Sequence, residues 1–189
     1  MKLSEAREKL RACCSPDLFA HCVGVEETAY RLALNYGADT QKASLAGLMH
    51  DYGKSFSNER LYRIAVENNL ADDLSLQEPS LLHAPVGAWL LKWELGIEDE
   101  EVLEAVKVHT TGAAGMSLLA RIVYLADYIE PGRTHAGVIE IRELAFADLE
   151  RALLGAVNLT IKRVLERGRL LHPGSISFRN SLILSLRKK

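Results

Sequence analysis

Between Asp17 and Tyr36 the chain sets Leu18, His21, Val25, Thr28 and Leu32 at steps of three and four. That is the spacing of one face of an α-helix, and Gly37 follows as a stop. The same period predicts a second helix over about 40–52, ended by Gly53, and a third over about 58–68. In a fourth, Pro85 suits the first turn and Gly96 the stop. A fifth spans about 99–109, opening on acidic residues that favour a helix N-terminus, with Gly112 after it. Ser117 can cap a sixth running through Ile129, which Pro131 and Gly132 close. Further helices are expected over 138–144 and 146–167, and a short one after Ser175. No stretch of useful length alternates with period two, and no repeat or Pro/Gly-rich linker divides the chain. The pattern predicts an all-α helical bundle with residues 1–189 in a single domain.

Polar residues interrupt the apolar faces at particular places. In LMHDYGKSF, residues 48–56, His50 and Asp51 close the apolar run ASLAGLM. An unpaired buried carboxylate costs several kcal/mol, so pairing or metal coordination is the usual remedy. His21 shares the face of Leu18 and Val25, and His109 shares that of Val102 and Val106. His83 stands at the entrance to the fourth helix, and Asp127 lies within the most apolar helix of the chain. Taken alone, each histidine reads as a core residue with one satisfied hydrogen bond, and the aspartate as a capping or ion-pairing group. Together they form an imidazole–carboxylate set suited to transition metals, and bundle cores are a place where facing helices assemble such sites. His135 and His172 differ: both sit in loops containing Gly or Pro.

Composition narrows the function classes. Hydrophobic content of 48% with 25% charged residues is ordinary for a globular protein. A net charge of −2 gives no basic footprint for nucleic acid. Cys13, Cys14 and Cys22 lack the spacing of a zinc site and read as free thiols in a reducing compartment. The charged start MKLSEAREKL has no signal-peptide core. The apolar stretch LLARIVYLADYIEP holds Arg121 and Asp127 and falls short of the ~20 residues of a membrane span. A cytoplasmic location without a membrane partner is the expectation.

The order His21, then His50–Asp51, then a distant Asp127 resembles the signature of the HD superfamily of metal-dependent phosphohydrolases. The second-helix motif LMHDYGK, together with LLHAPVGAWL (81–90) and KVHTTGAAGMSLLARIVYLADYIEPGR (107–133), looks like the bacterial symmetrical bis(5'-nucleosyl)-tetraphosphatases of the YqeK family. The likeness runs from about Cys14 to HPGSISFRNS near the end, with departures at the N-terminus and over 58–80. It implies cleavage of diadenosine tetraphosphate into two ADP at a two-metal centre. His21, His50, Asp51 and Asp127 would hold one ion, His83 and His109 the other, and Asp51 would bridge. Iron is the ion the likeness implies, whereas the ligand types alone also accept manganese or zinc. Two rivals stand beside this expectation: another HD nucleotidase, and a non-catalytic nucleotide-binding regulatory module. Oligomeric state is open, a homodimer included.

Around this set the roles are less determined. Lys54 could hold a phosphate oxygen or stabilise the leaving group, and equally could be a solvated surface lysine. Thr110, Thr111 and Gly112 could bind phosphate through hydroxyls and amides, though simple helix termination also explains Gly112. Arg133 could pair with phosphate bidentately or form a structural salt bridge. Trp89 and Trp93 read as core packing, not as a base-stacking platform, and Cys22 reads as core. Arg179 and Asn180 fall in the resembling C-terminal segment without an evident role.

Overall fold

The computed structural model describes residues 1–188, and no β-strand occurs among them. The elements are α1 (Leu3–Cys13), α2 (Pro16–Tyr36), α3 (Thr40–Met49), a 3-10 turn (Tyr52–Ser55), α4 (Asn58–Glu67) and α5 (Asp73–Gln77). A second 3-10 turn (Pro79–Leu81) precedes α6 (His83–Trp93), α7 (Glu100–Val108), α8 (Leu118–Ile129), α9 (Val138–Leu144), α10 (Leu149–Glu166) and α11 (Pro173–Leu186). No described helix is long and apolar enough to cross a membrane.

Local chemistry sets these boundaries. Ser15 accepts from the Leu18 amide while Pro16 occupies the first turn of α2, and Gly37 ends the helix at φ 70°. Asp39, Asp99 and Ser117 cap α3, α7 and α8 in the same way. Asp148 accepts from the Arg151 amide, so α10 begins at Leu149 and not at the expected Phe146.

α8 is apolar on nearly all sides and is therefore the central helix, packed by α2, α3, α7, α9 and α10. Val25, Ala29 and Leu32 of α2, Ala46 and Leu48 of α3, and Ala105 and Val106 of α7 close the core around it. Arg121 and Asp127 are the charged residues that α8 carries through this interior, and neither is fully buried.

One helix was not anticipated, and three expectations need correction. The charged N-terminus forms α1, because Ala6 and Leu10 bury completely while its ionic side chains stay outside. The segment after Ser175 belongs to α11, a helix of 14 residues that starts at Pro173 under the cap of His172. α3 ends at Met49, before Gly53, and the chain tightens into a 3-10 turn there. Trp93 is 67% exposed, so only its partner Trp89, half-buried, packs against the core.

Candidate metal centre

His50 and Asp51 are neighbours, and on a continuing helix their side chains would diverge by about 100°. The chain resolves this by leaving the helix between them. His50 keeps helical dihedrals (φ −55°, ψ −37°), whereas Asp51 turns to φ −100°, ψ 14°. Both side chains thus face one point, and both residues are fully buried. α2 brings His21, the start of α6 brings His83, the end of α7 brings His109, and α8 brings Asp127.

The six side chains meet there as two clusters sharing Asp51. Around Asp51 Oδ2, His50 Nε2 lies at 3.2 Å and His21 Nε2 at 3.5 Å. Asp127 Oδ1 completes this cluster, 3.1 Å from His21 Nε2 and 3.7 Å from His50 Nε2. Around Asp51 Oδ1, His83 Nε2 and His109 Nε2 each lie at 3.3 Å, and the two nitrogens are 3.1 Å apart.

Each imidazole is held from behind. His50 Nδ1 bonds to the Gly47 carbonyl at 2.8 Å, His83 Nδ1 to Ser80 at 2.8 Å, and His109 Nδ1 to Val106 at 2.7 Å. A carbonyl can only accept, so these Nδ1 atoms donate, and in the neutral ring Nε2 presents a lone pair. His21 Nδ1 donates in the same sense to Glu130 Oε1 at 3.1 Å. Asp51 Oδ1 is buried and has no hydrogen-bond partner. In the second cluster, then, two imidazole nitrogens and a carboxylate oxygen converge on one point, with the Thr110 hydroxyl beside them. Such electron-rich convergence fits a cation, and the donor set of imidazole and carboxylate fits a transition metal.

Charges in the first cluster are balanced by protons when no metal supplies the charge. Burial opposes ionisation of both histidines, but Asp127 and Asp51 outweigh it, lifting His21 to about 9 and His50 to about 10. Burial likewise opposes the two carboxylates. His50, His109 and His21 nevertheless hold Asp51 well below the usual range, and His21, His50 and Arg133 do so for Asp127. His109 goes the other way: burial depresses it to about 4, leaving it a neutral donor.

The flanking residues separate into those at the centre and those behind it. Lys54 Nζ lies 2.7 Å from Asp51 Oδ2. Arg133 pairs with Asp127 Oδ1 and donates through Nε to the Asp127 carbonyl at 2.9 Å. Both line a cavity of about 180 Å³ over the clusters, together with Thr110, whose Oγ1 stands 3.1 Å from both His83 Nε2 and His109 Nε2. Thr111 does not line this cavity; its hydroxyl donates to the Gly112 carbonyl at 3.1 Å, and its own carbonyl accepts from Ser175 Oγ at 2.9 Å. Gly112 corrects one expectation: its amide is engaged by the Val108 carbonyl, and Phe178 packs where a Cβ would stand. It ends a helix and seats α11, so it offers phosphate no free donor. Arg179 is likewise structural, its Nε donating to Asn158 Oδ1 of α10 at 2.6 Å.

His172 caps α11 and touches Asp72 Oδ2 at 3.1 Å, and it is neither in the clusters nor in the wall of the cavity over them. His135 is a loop residue that lines the cavity, its ring edge-on to Tyr128 at 4.6 Å between centroids. Sequence reasoning passed over Glu130, which looked like a helix end, and over Thr160 and Arg163 of α10, which also line the cavity. Proximity of α10 to the ligands is a tertiary fact with no local signal.

The HD domain family matches residues 18–132, a span that includes all six clustered residues. This chain belongs to the HD-domain family. The symmetrical bis(5'-nucleosyl)-tetraphosphatase of Bacillus subtilis is 39% identical over 181 residues, covering 94% of this chain and 97% of that protein. The one from Halalkalibacterium halodurans is 39% identical over 184 residues, covering 97% and 98%. A crystal structure from Clostridium acetobutylicum, described as a predicted HD superfamily hydrolase involved in NAD metabolism, superposes with TM-score 0.93 at 41% identity. It covers 98% of each chain. The HD match ends at Gly132, so α9, α10 and α11 lie beyond it, while the tetraphosphatase likeness covers nearly the whole chain.

Proposed function

We propose that this HD-domain protein hydrolyses dinucleoside tetraphosphates symmetrically, releasing two nucleoside diphosphates, with diadenosine tetraphosphate the substrate and two ADP the products. The observation that carries this reading is Asp51, whose two oxygens face two separate groups of imidazole nitrogens. His21, His50, Asp51 and Asp127 would hold one ion, and His83, His109 and the other oxygen of Asp51 a second, with iron the proposed metal and manganese or zinc the alternatives that the same donors accept. Bound there, a pair of cations supplies Lewis-acid polarisation of phosphoryl oxygens and a water of lowered pKa.

The chain's own residues do the rest. The backward hydrogen bonds of His50, His83 and His109 fix their rings, so Nε2 needs no reorientation on binding. Lys54 and Arg133 bring positive charge to the cavity, Lys54 beside Asp51 and Arg133 beside Asp127. Both can pair with non-bridging oxygens of an inner phosphate while charge grows on the departing nucleoside diphosphate. Thr110 presents a hydroxyl to the same phosphate. A diphosphate leaves as a stable anion, so no buried general acid is required.

The deciding experiment combines elemental analysis of protein purified without added metal with chromatographic identification of products. Diadenosine tetraphosphate is expected to give ADP alone, with turnover exceeding that of dATP, dAMP and a cyclic dinucleotide. ATP plus AMP would overturn symmetrical cleavage, and preference for a mononucleotide would make the chain a nucleotidase. Absence of turnover in metal-loaded protein would favour the regulatory module.

A further inference from the structure

The cavity over the clusters, at about 180 Å³, is small for its proposed substrate. Drug-sized ligands typically occupy pockets of about 300–1,000 Å³, and a dinucleoside tetraphosphate is larger than most of them. Much of the substrate must therefore lie outside. A second cavity of about 170 Å³ adjoins the first, sharing Thr110, Thr160 and Arg163 as the wall between them.

The composition of that second cavity matches half of such a substrate. Arg163, in the last turn of α10, Arg167, its C-cap, and Arg169 just beyond all line it. Among the described residues no carboxylate comes within ion-pairing distance of Arg163 or Arg167, whereas Arg169 has Glu78 at 3.8 Å. At the C-terminal end of a helix the macrodipole favours a guanidinium without a carboxylate beside it, so both side chains keep their planar donors for an anion. Arg163's charge reaches the first cavity as well, where it counteracts the burial that raises Tyr128 and adds to the burial that lowers His135. Beyond the arginines, Leu81, Leu170 and Leu171 supply apolar surface, with Leu170 47% exposed.

We infer that this second cavity is the binding subsite for the nucleoside diphosphate half beyond the scissile bond, with Arg163 and Arg167 on its phosphates and the leucines under its nucleoside. The inference rests on the proposed function for the identity of the substrate. It makes α10, an element outside the HD match, the source of selectivity for dinucleoside over mononucleoside substrates. A mononucleotide leaves this subsite empty and forgoes its charge-assisted contacts.

The test is steady-state kinetics of metal-loaded Arg163→Ala and Arg167→Ala proteins, with metal content and circular dichroism as controls. Arg167 is exposed, so its replacement spares the fold even if Arg163→Ala does not. KM for diadenosine tetraphosphate is expected to rise about tenfold in each, the scale of one hydrogen bond to a charged group. Inhibition by ADP should weaken by a similar factor, with inhibition by inorganic phosphate unchanged in Arg167→Ala, which lines the second cavity and not the first. Unaltered KM, or a loss confined to kcat, overturns the subsite. Equal weakening of ADP and phosphate inhibition makes it a general anion site and overturns the nucleoside assignment. If the wild-type protein fails to cleave diadenosine tetraphosphate, the proposed function falls separately. ADP binding to the two variants then reads the cavity by itself.

Discussion

The Cα of Gly53 packs against the carbonyl of His83 so closely that any Cβ at position 53 would fall inside that oxygen's contact radius. Gly87, one turn along α6, approaches the Gly53 amide from the same side. The 3-10 turn that follows Asp51 thus lies directly on the start of α6, and this contact brings His83 to Asp51.

Gly53→Ala should therefore open the second cluster before it disturbs the first. Forced overpacking of this kind costs about 1–3 kcal/mol, within what a folded domain can tolerate. Metal content is expected to fall from two ions toward one per chain, with activity dropping about a hundredfold. Elemental analysis and turnover measured on the same preparation check this. Two retained ions would show that the backbone contact does not set the position of His83.

Asp51→Asn tests the shared carboxylate with little change in volume. An amide has one oxygen able to face a cation, and its NH₂ group would point at the other cluster. The variant is expected to fold, to hold about one ion instead of two, and to lose at least about a hundredfold in turnover. Asp51→Ala should lose at least as much. Wild-type turnover in either variant would remove Asp51 from the mechanism.

Glu130 is 5% exposed and accepts both from His21 Nδ1 and from the Gly132 amide at 2.5 Å. It is the carboxylate behind the first cluster's histidine, a kind of support whose loss typically costs about ten- to a hundredfold in metal affinity. Glu130→Gln keeps the shape and removes the charge, so competition with a chelator should show metal affinity reduced on that scale. Gly24→Ala should act in the same direction, because its new Cβ would stand 2.8 Å from Glu130 Oε2. Undiminished affinity in both would make Glu130 a loop-closing residue only.

How far the sequence disclosed this site depended on whether the signal was local. The helical period located α2, α3, α7 and α8, and the apolar context of His21, His109 and Asp127 marked them as inward-facing. The turn at Asp51 was harder: Gly53 looked like a helix stop, whereas its function is close approach to His83. Gly112 suffered the same ambiguity in reverse, since a positive-φ glycine ends a helix whether or not its amide is free. Glu130, Thr160 and Arg163 gave no signal because nothing in their own neighbourhoods reports which helices pack together. α1 was missed because two buried residues, Ala6 and Leu10, are too few to register against a charged background.

The pH dependence of stability should reverse in slope with metal. In the metal-free protein His21 and His50 titrate at about 9 and about 10, above the roughly 6.5 of an unfolded histidine. The folded state therefore binds more protons than the unfolded state between these limits. The stability they contribute is fully present below about pH 6.5 and is lost as pH rises through about 9 and 10. The depressed carboxylates of Asp51 and Asp127 act at the other end, losing their contribution as pH falls below the ordinary aspartate range. Chelator-treated protein should thus unfold at a lower temperature near pH 10 than near pH 6.5. Metal must displace the protons on both histidines, so binding releases protons and strengthens as pH rises. Metal-loaded protein should lose the alkaline decline and instead weaken toward acid. Thermal unfolding with and without chelator across this range checks both arms, and a metal-free protein equally stable at both ends would mean that His21 and His50 are not charged in the folded chain.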